Sequence, residues 1–450
     1  MDTETAYNLA LDYLYSFVDY SLKHVSELAK ADFSLDRMFA LMNALGNPQT
    51  KYPIIHVAGT KGKGSTSALC ASALMAAGYK VGLYTSPHLE DYCERIQIDG
   101  MPLAHEQLVA LVDAVKPAVA KIPNLTTFEI TTAIGFLAFE RAGVNAAVVE
   151  VGLGGRLDAT NVVTPRVSVI TSLSMDHMAV LGDTLAKIAG EKAGIIKAGV
   201  PVVSSPQKEE ATRVLLRVTR EMGSTLALVG REVEFDLLES TLDGQFIRLG
   251  DTKQLVKLDV KLPLLGSHQI INAATAYAAL KASGLTISDE AVQKGFSQVK
   301  WPARFEVARR EPPVVFDSAH NDDSFAKLRE TLEEYFPSRQ VYLIFGASED
   351  KNIPGMFREM KPKIRKLIVT RADHPRALEV EKIQKLADQL EIPHEAVTPV
   401  STALARALEM SANDGSIVLS AGSMFVTAEV MAEWKKSFKH KGHEGDKGKI

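Results

Sequence analysis

The chain has 450 residues, 46% hydrophobic and 24% charged, with a formal net charge of −4. That length predicts two domains, with a third possible, and enough apolar residues for sizeable cores. The charge balance gives no sign of a nucleic-acid surface. Its two cysteines, Cys70 and Cys93, fall into no metal-binding spacing, which predicts free thiols in a reduced cytosolic compartment. The start, Met1-Asp2-Thr3-Glu4, lacks the basic and then apolar order of a signal peptide, and charges such as Glu140-Arg141 interrupt the apolar runs well before ~18 residues. The expectation is a cytoplasmic globular protein with no membrane span.

The first 50 residues read as mostly helical. Leu9, Tyr13, Tyr15 and Phe17 sit in one amphipathic stretch, and Leu35, Met38, Phe39, Met42 and Leu45 recur at helical spacing before Gly46-Asn47-Pro48, a stripe expected in a core. The apolar run Ile54–Ala58 reads as a buried strand. A turn follows, Gly59-Thr60-Lys61-Gly62-Lys63-Gly64-Ser65-Thr66, and then an Ala- and Leu-rich helix, Ser67–Ala77, stopped by Gly78. Strand, glycine turn and helix start make a phosphate cradle. Glycines let backbone N–H groups approach phosphates, the helix N-terminus favours negative charge, Lys63 can reach the terminal phosphates, and Ser65 or Thr66 can offer a hydroxyl to magnesium. Gly64 separates Lys63 from Ser65, unlike the general P-loop pattern, but a nucleoside triphosphate remains the better reading than a turn that merely starts a helix.

Further strands are expected at Val81–Tyr84, Ala146–Val151, Val167–Thr171 and Val200–Ser204, with intervening lengths that suit crossover helices and a largely parallel sheet. Ligands gather beyond the carboxyl ends of such strands. Those ends read Thr85-Ser86-Pro87-His88, Gly152-Leu153-Gly154-Gly155-Arg156 and Ser172 to His177, so polar and glycine-rich chemistry falls where a site belongs. From Thr225 to Val260, short alternating runs such as Gln245–Leu249 suggest a small antiparallel sheet. Helices are expected at Asn272–Ala282 and Asp289–Phe296, then a hinge at Trp301-Pro302-Ala303-Arg304. A second strand–helix alternation covers Val314–Asp317, Val341–Phe345, Lys366–Thr370 and Ser416–Ser420, again with polar strand ends. Two α/β domains follow from this pattern, with loop faces able to close on each other. Lys439 to Ile450 reads as a solvated, disordered tail.

Three features carry chemistry but stay open on pattern alone. Glu150 ends an apolar run, where a carboxylate needs a partner; magnesium beside the phosphates or a salt bridge or cap would each serve. Asp176-His177 is either a surface turn or part of the shared strand-end site. Lys192 falls on the stripe of Leu185, Ile188, Ala189 and Ile196 in the expected helix Thr184–Lys197, at i+7 from Leu185. An inward lysine has a lowered pKa and can pair with phosphate or react with carbon dioxide to give a metal-ligating carbamate, but it can also snorkel outward or pair with Glu150. A dinucleotide reading of Gly152-Leu153-Gly154-Gly155 fails, because Leu157 stands where the third glycine belongs and Pro165 follows where a helix should start.

Together these residues resemble the folylpolyglutamate synthase and dihydrofolate synthase family, within the Mur ligase superfamily. The matching segments are His56 to Thr66, Tyr84 to Leu89, Thr127-Phe128-Glu129, Glu150 to Asn161, Asp176-His177, Glu191-Lys192-Ala193-Gly194, Leu265 to Gln269, Asn272-Ala273, Trp301 to Arg304 and Asp317 to Asn321. They occur in family order from about residue 35 to 375, and the family uses the same glycine-shifted P-loop. Lys61 departs from it, since bacterial members usually carry Asn there; Ala303 stands where many have Gly.

The resemblance implies ATP on the Gly59–Thr66 loop, with Thr60 to Ser65 at its centre and adenosine contacts from Asn272, Arg304 and Asp317. It implies magnesium held by Ser86, Glu150 and His177 with a Ser65 hydroxyl, and matches Lys192 to the family's carbamylated lysine. Thr127, Phe128 and Glu129, with Leu157, Asp158 and Ala159, match segments lining the pterin site. The implied reaction joins L-glutamate to a folate, and in a bifunctional enzyme to dihydropteroate, through an acyl phosphate. Lys63, Lys192, His177 and His320 are its expected catalytic residues. The expected fold is α/β: a P-loop domain over residues 1–301 with a mostly parallel sheet and a small antiparallel one, a Rossmann-like glutamate-ligase domain over 302–438, and the tail at 439–450. The expected state is a monomer without nucleic-acid or membrane partners. Another Mur-type ligase should lack the Thr127–Glu129 and Gly154–Asn161 matches, and a P-loop switch would need a guanine-reading N-K-x-D motif, which does not occur.

Overall fold

The computed structural model describes residues 2–19, 34–252 and 257–442. The expectations for residues 20–33 and 253–256, and for 443–450 of the tail, lie outside the described residues; 439–442 continue the helix Met424–Gly442. The chain forms two compact units. One comprises Met1–Ser240, Gly244–Pro263 and His268–Lys300; the other comprises Thr241–Asp243, Leu264–Ser267 and Trp301–Ile450.

In the first unit, β1 (Ile54–Ala58), β2 (Val81–Tyr84), β3 (Ile96–Ile98), β4 (Met101–Pro102), β5 (Ala146–Glu150), β6 (Val167–Ile170), β7 (Val202–Ser204) and β8 (Leu226–Leu228) make one sheet in the order β4-β3-β2-β5-β1-β6-β7-β8. All of its pairings are parallel except β2 with β3 and β3 with β4. β1 and β5 are buried at every residue, the pattern of strands covered on both faces. With β1 between β5 and β6, the loops after these three strands leave the carboxyl edge side by side. His56 sits mid-strand in β1, fully buried. Burial lowers its pKa to about 3 and keeps the ring neutral. Its Nε2 lies 2.9 Å from the Thr160 hydroxyl, which itself donates to Asp158. It is a core histidine that ties β1 to the turn Ala159–Val162.

Several boundaries differ from expectation for physical reasons. The helix after the glycine turn is Lys63–Ala76, four residues earlier than Ser67, because left-handed Gly62 caps it and its carbonyl accepts from Thr66 N at 2.9 Å. Lys63 to Thr66 therefore form the helix's first turn. The run Leu226–Leu228, expected in the antiparallel sheet, is instead a parallel edge strand, since the helix Glu209–Glu221 serves as its crossover. The small sheet contains β9 (Val233–Thr241), β10 (Gly244–Asp251) and β11 (Leu258–Leu262) in the order β11-β10-β9. In β10, Ile247 and Leu249 point inward and Phe246 outward, which is the alternation read from the sequence.

The N-terminal stripe is core in part. The helix Thr3–Tyr15 buries Tyr7, Ala10 and Leu14, and the helix Asp36–Ala44 buries Met38, Leu41 and Met42. Phe39, expected in the core with that stripe, falls off the buried face and is 50% exposed, while Leu9 and Tyr15 of the amphipathic stretch are 53% and 40% exposed. The helix carrying Lys192 spans Leu185–Ala193: Thr184 caps its start by accepting from Lys187 N, and Gly194 ends it before the expected Lys197. Another helix begins at Ser267 rather than Asn272.

The second unit holds β12 (Glu306–Arg310), β13 (Pro313–Phe316), β14 (Val341–Phe345), β15 (Ile364–Val369), β16 (His394–Ala396) and β17 (Ile417–Ala421), in the order β12-β13-β17-β14-β15-β16. β13, β14 and β17 are buried throughout, and only the β12–β13 pairing is antiparallel. The two strands that sequence reading missed are the edges, β12 and β16. Their polar residues, Glu-Val-Ala-Arg-Arg and His-Glu-Ala, suit edges and carry no apolar run. Among the described residues, no helix is long and apolar enough to cross a membrane.

Candidate active site

The three neighbouring loops of the first unit assemble the site. Gly62 adopts φ +83°, and a Cβ there would lie 2.1 Å from Asn272 Oδ1. A side chain at 62 would thus push Asn272 off the phosphate loop. Asn272 is buried and donates to Gln269 Oε1 at 2.9 Å, so its amide is fixed against the loop. Lys63 points its Nζ to Glu150 Oε1 at 3.8 Å, with side chains 18% and 6% exposed. The Glu150 carboxylate faces the phosphate-loop lysine, which offsets part of its desolvation. Ser65 and Thr66 are buried in the helix's first turn, and Thr66 Oγ1 has no hydrogen-bond partner among the described residues.

Asp176 and His177 also join this face. Lys61 Nζ lies 3.2 Å from Asp176 Oδ2, and His177 stands left-handed at φ 48°. Ser86 lies half-buried on the loop after β2, the strand beside β5.

Lys192 is buried, with 5% of its surface exposed, beside Leu185, Ile188 and Ala189. Burial first, and then the nearby positive charge of Lys63, lower its pKa to about 7, against the opposing pull of Asp176 and Asp158. Snorkelling is thereby ruled out: the amine is inside and largely able to be neutral near neutral pH.

Gly155 explains how the loop after β5 reaches this helix. A Cβ at 155 would lie 2.8 Å from Glu191 O and 3.0 Å from Lys192 Cα. Arg156 N donates to Glu191 O at 2.8 Å, and Arg156 pairs with the Glu191 carboxylate, while Asn161 Nδ2 donates to Arg156 O and Gly194 O. The loop is thus sewn onto the end of the Lys192 helix. Gly155→Ala has only backbone to push against, so it is expected to cost about 1–3 kcal/mol of stability and to lower activity by displacing Lys192. Paired melting curves and turnover assays check this; unchanged values for both would show that the loop gives way freely.

The segments matched to the pterin site divide. Phe128, half-buried at the start of the helix Thr127–Arg141, lies against the loop after β5: a Cβ at Gly152 would meet its Cζ at 2.4 Å. Leu157 is half-buried and Ala159 buried. Thr127 donates its hydroxyl to Leu14 O at 2.9 Å. Glu129 is engaged structurally: Oε2 accepts from Thr126 N at 2.7 Å in a capping box, and Oε1 from Arg37 Nε at 3.2 Å. Asp158 accepts from Leu153 N and from Thr160 N and Oγ1, and burial raises its pKa despite those bonds. Sequence reasoning missed Arg37 as the partner of Glu129, because nothing in an isolated arginine signals a contact 92 residues away.

In the second unit, Asp317 is held at the end of β13: Oδ1 accepts from Ala319 N at 2.7 Å and Oδ2 from Phe305 N at 2.8 Å, while burial raises its pKa. Arg304 donates to Ser318 Oγ and to Ala303 O. His320 Nδ1 lies 2.8 Å from Ser318 O; a carbonyl only accepts, so Nδ1 carries a proton.

The donor set fits a hard divalent cation. Glu150 would supply a carboxylate, Ser86 and Ser65 hydroxyl oxygens, and His177 one imidazole, all but the last being oxygen donors of the kind magnesium takes.

A phosphate loop beside a parallel-sheet edge, followed by a second parallel α/β unit, defines an ATP-dependent ligase of the Mur type. Residues 57–280 match the family described as Mur ligase middle domain, and residues 303–424 match Mur ligase, glutamate ligase domain. Among its relatives, the chain is 34% identical to the dihydrofolate synthase/folylpolyglutamate synthase of Bacillus subtilis, over 96% of this chain and 100% of that one. The solved structure of Mycobacterium tuberculosis folylpolyglutamate synthase complexed with ADP is similar at a TM-score of 0.87 and 34% identity, covering 96% of this chain and 98% of the other. That of E. coli FolC in complex with DHPP and ADP is similar at 0.82 and 30% identity, covering 94% and 100%. The chain belongs to the dihydrofolate synthase/folylpolyglutamate synthase family.

Proposed function

We propose that this protein uses ATP to join L-glutamate to a folate carboxylate, acting as a cytoplasmic monomer without nucleic-acid or membrane partners. The observation that carries the reading is the convergence of Lys63, Glu150 and buried Lys192 on the carboxyl edge of β1, β5 and β6. A carboxylate is a poor electrophile. One of its oxygens therefore attacks the γ-phosphorus, ADP leaves, and an acyl phosphate forms. Glutamate nitrogen then attacks the acyl carbon, loses a proton, and inorganic phosphate departs.

Lys63 follows the charge that moves from the γ-phosphate toward ADP, and the glycine turn supplies backbone donors fixed before reaction. Ser65, Ser86, Glu150, His177 and, as its carbamate, Lys192 would hold magnesium, which when bound spreads the charge of the phosphates. Asn272 in the first unit, and Arg304 and Asp317 in the second, are the residues the family resemblance assigns to adenosine. Phe128 and Leu157 offer apolar surface to a pterin ring, with Thr127, Glu129, Asp158 and Ala159 as the frame that holds them. His320 of the second unit, its proton on Nδ1, is proposed as a catalytic residue by the family resemblance alone. The test is ADP release that requires a folate, L-glutamate and ATP together, with a product longer by one glutamyl unit. Sustained ADP release without a folate, or a folate that gains no glutamyl unit in the full mixture, would defeat the reading.

The Gly154–Asn161 loop resembles that of members that also accept dihydropteroate, and a relative was crystallised with DHPP. The expected result is glutamate addition to dihydropteroate as well as to tetrahydrofolate at saturating ATP. Chain extension on tetrahydrofolate alone would leave only polyglutamylation.

A further inference from the structure

Thr60 and Lys61 turn their backbone N–H groups to one acceptor, the Ser172 carbonyl, at 3.0 Å each. Thr60 Oγ1 donates to Ser174 O at 3.2 Å. The Lys61 side chain runs the same way, its Nζ 3.2 Å from Asp176 Oδ2, with side chains 23% and 16% exposed. Four contacts therefore tie the start of the phosphate loop to residues 172–176 after β6. The other oxygen of Asp176, Oδ1, accepts from the backbone N of His177 at 3.0 Å. His177 needs such support, because its left-handed backbone is unfavourable for a residue with a Cβ. Asp176 thus links Lys61 to His177, while Lys63, two residues on, faces a different carboxylate, Glu150.

We infer that Lys61 is a positioning residue: it acts through Asp176 to fix His177 for the magnesium of the nucleotide complex, rather than holding phosphate itself. The inference rests on the ligase reading above. An uncharged side chain at 61 leaves the shielded Asp176 carboxylate without that ammonium and loosens the cap on His177. The gain in affinity that magnesium brings is then reduced beyond any loss of metal-free nucleotide affinity.

Calorimetric titration of ADP, with magnesium and with EDTA, separates these roles. Lys61→Met is expected to lose about tenfold more affinity for ADP with magnesium than in EDTA. Lys61→Arg, which keeps the charge, should restore it. Adding Lys61→Met to Asp176→Asn should cost nothing further. Equal weakening with and without magnesium would overturn the inference in favour of a direct phosphate contact. So would an intact magnesium gain in Lys61→Met, or a folded Lys61→Arg that fails to rescue; each of these leaves the ligase reading standing. If the unsubstituted protein bound no ADP at all, both readings would fall.

Discussion

Lys63→Ala is expected to abolish measurable turnover while leaving the fold intact. Lys63 lies in the first turn of its helix, with its amine toward Glu150 rather than into a core. Truncation therefore removes a charge from the site rather than an apolar contact from a core. In the reaction that amine stays beside phosphate oxygens whose charge shifts as the bond to ADP breaks. Losing such a preorganised donor costs about 3–4 kcal/mol of barrier, or roughly 10²–10³-fold in rate. The Glu150 carboxylate, deprived of its neighbour, would add repulsion against the incoming phosphates. Purified Lys63→Ala with an unchanged circular dichroism spectrum and near-normal turnover would remove the phosphate-loop assignment.

What was legible in the sequence follows from how each feature is encoded. Buried parallel strands read clearly: β1, β2 and β14 lie where their apolar runs stand, because a strand covered on both faces tolerates few polar residues. The glycine turn and the strand-end loops also read clearly, since they depend on local residue types. Features set by distant packing did not. Which face of the helix Asp36–Ala44 is buried depends on partners that periodicity cannot choose among, so Phe39 is expected inside and lies outside. The pairings Lys61–Asp176 and Arg37–Glu129 join residues 115 and 92 positions apart. The bonds that hold the Asp158 carboxylate, from Leu153 N and from Thr160 N and Oγ1, are likewise invisible in residue types alone. The stripe that placed Lys192 inside was legible; the depth of burial and the neighbouring Lys63 charge needed coordinates.

Lys192→Ala is expected to be inactive yet partly rescued by a small carboxylate such as acetate, and Lys192→Arg is expected to stay inactive. The structure places the amine indoors, where burial and the charge of Lys63 bring its pKa to about 7. A substantial neutral fraction therefore exists at neutral pH. Its nitrogen lone pair can attack the carbon of carbon dioxide and lose a proton, giving a carbamate anion with two oxygens, the donors a hard cation takes. The same reaction turns a second cation beside Lys63 into an anion, which relieves the repulsion that lowers its pKa. Arginine remains charged and forms no carbamate, so it restores the cation and not the oxygens. Acetate can occupy the space left by alanine and return a carboxylate-like donor. Carbon-13 NMR after incubation with labelled bicarbonate should show a carbamate resonance in the unsubstituted protein and none in Lys192→Ala. Activity retained by Lys192→Arg, with no effect of acetate and no carbamate signal, would make Lys192 an ordinary phosphate-facing cation.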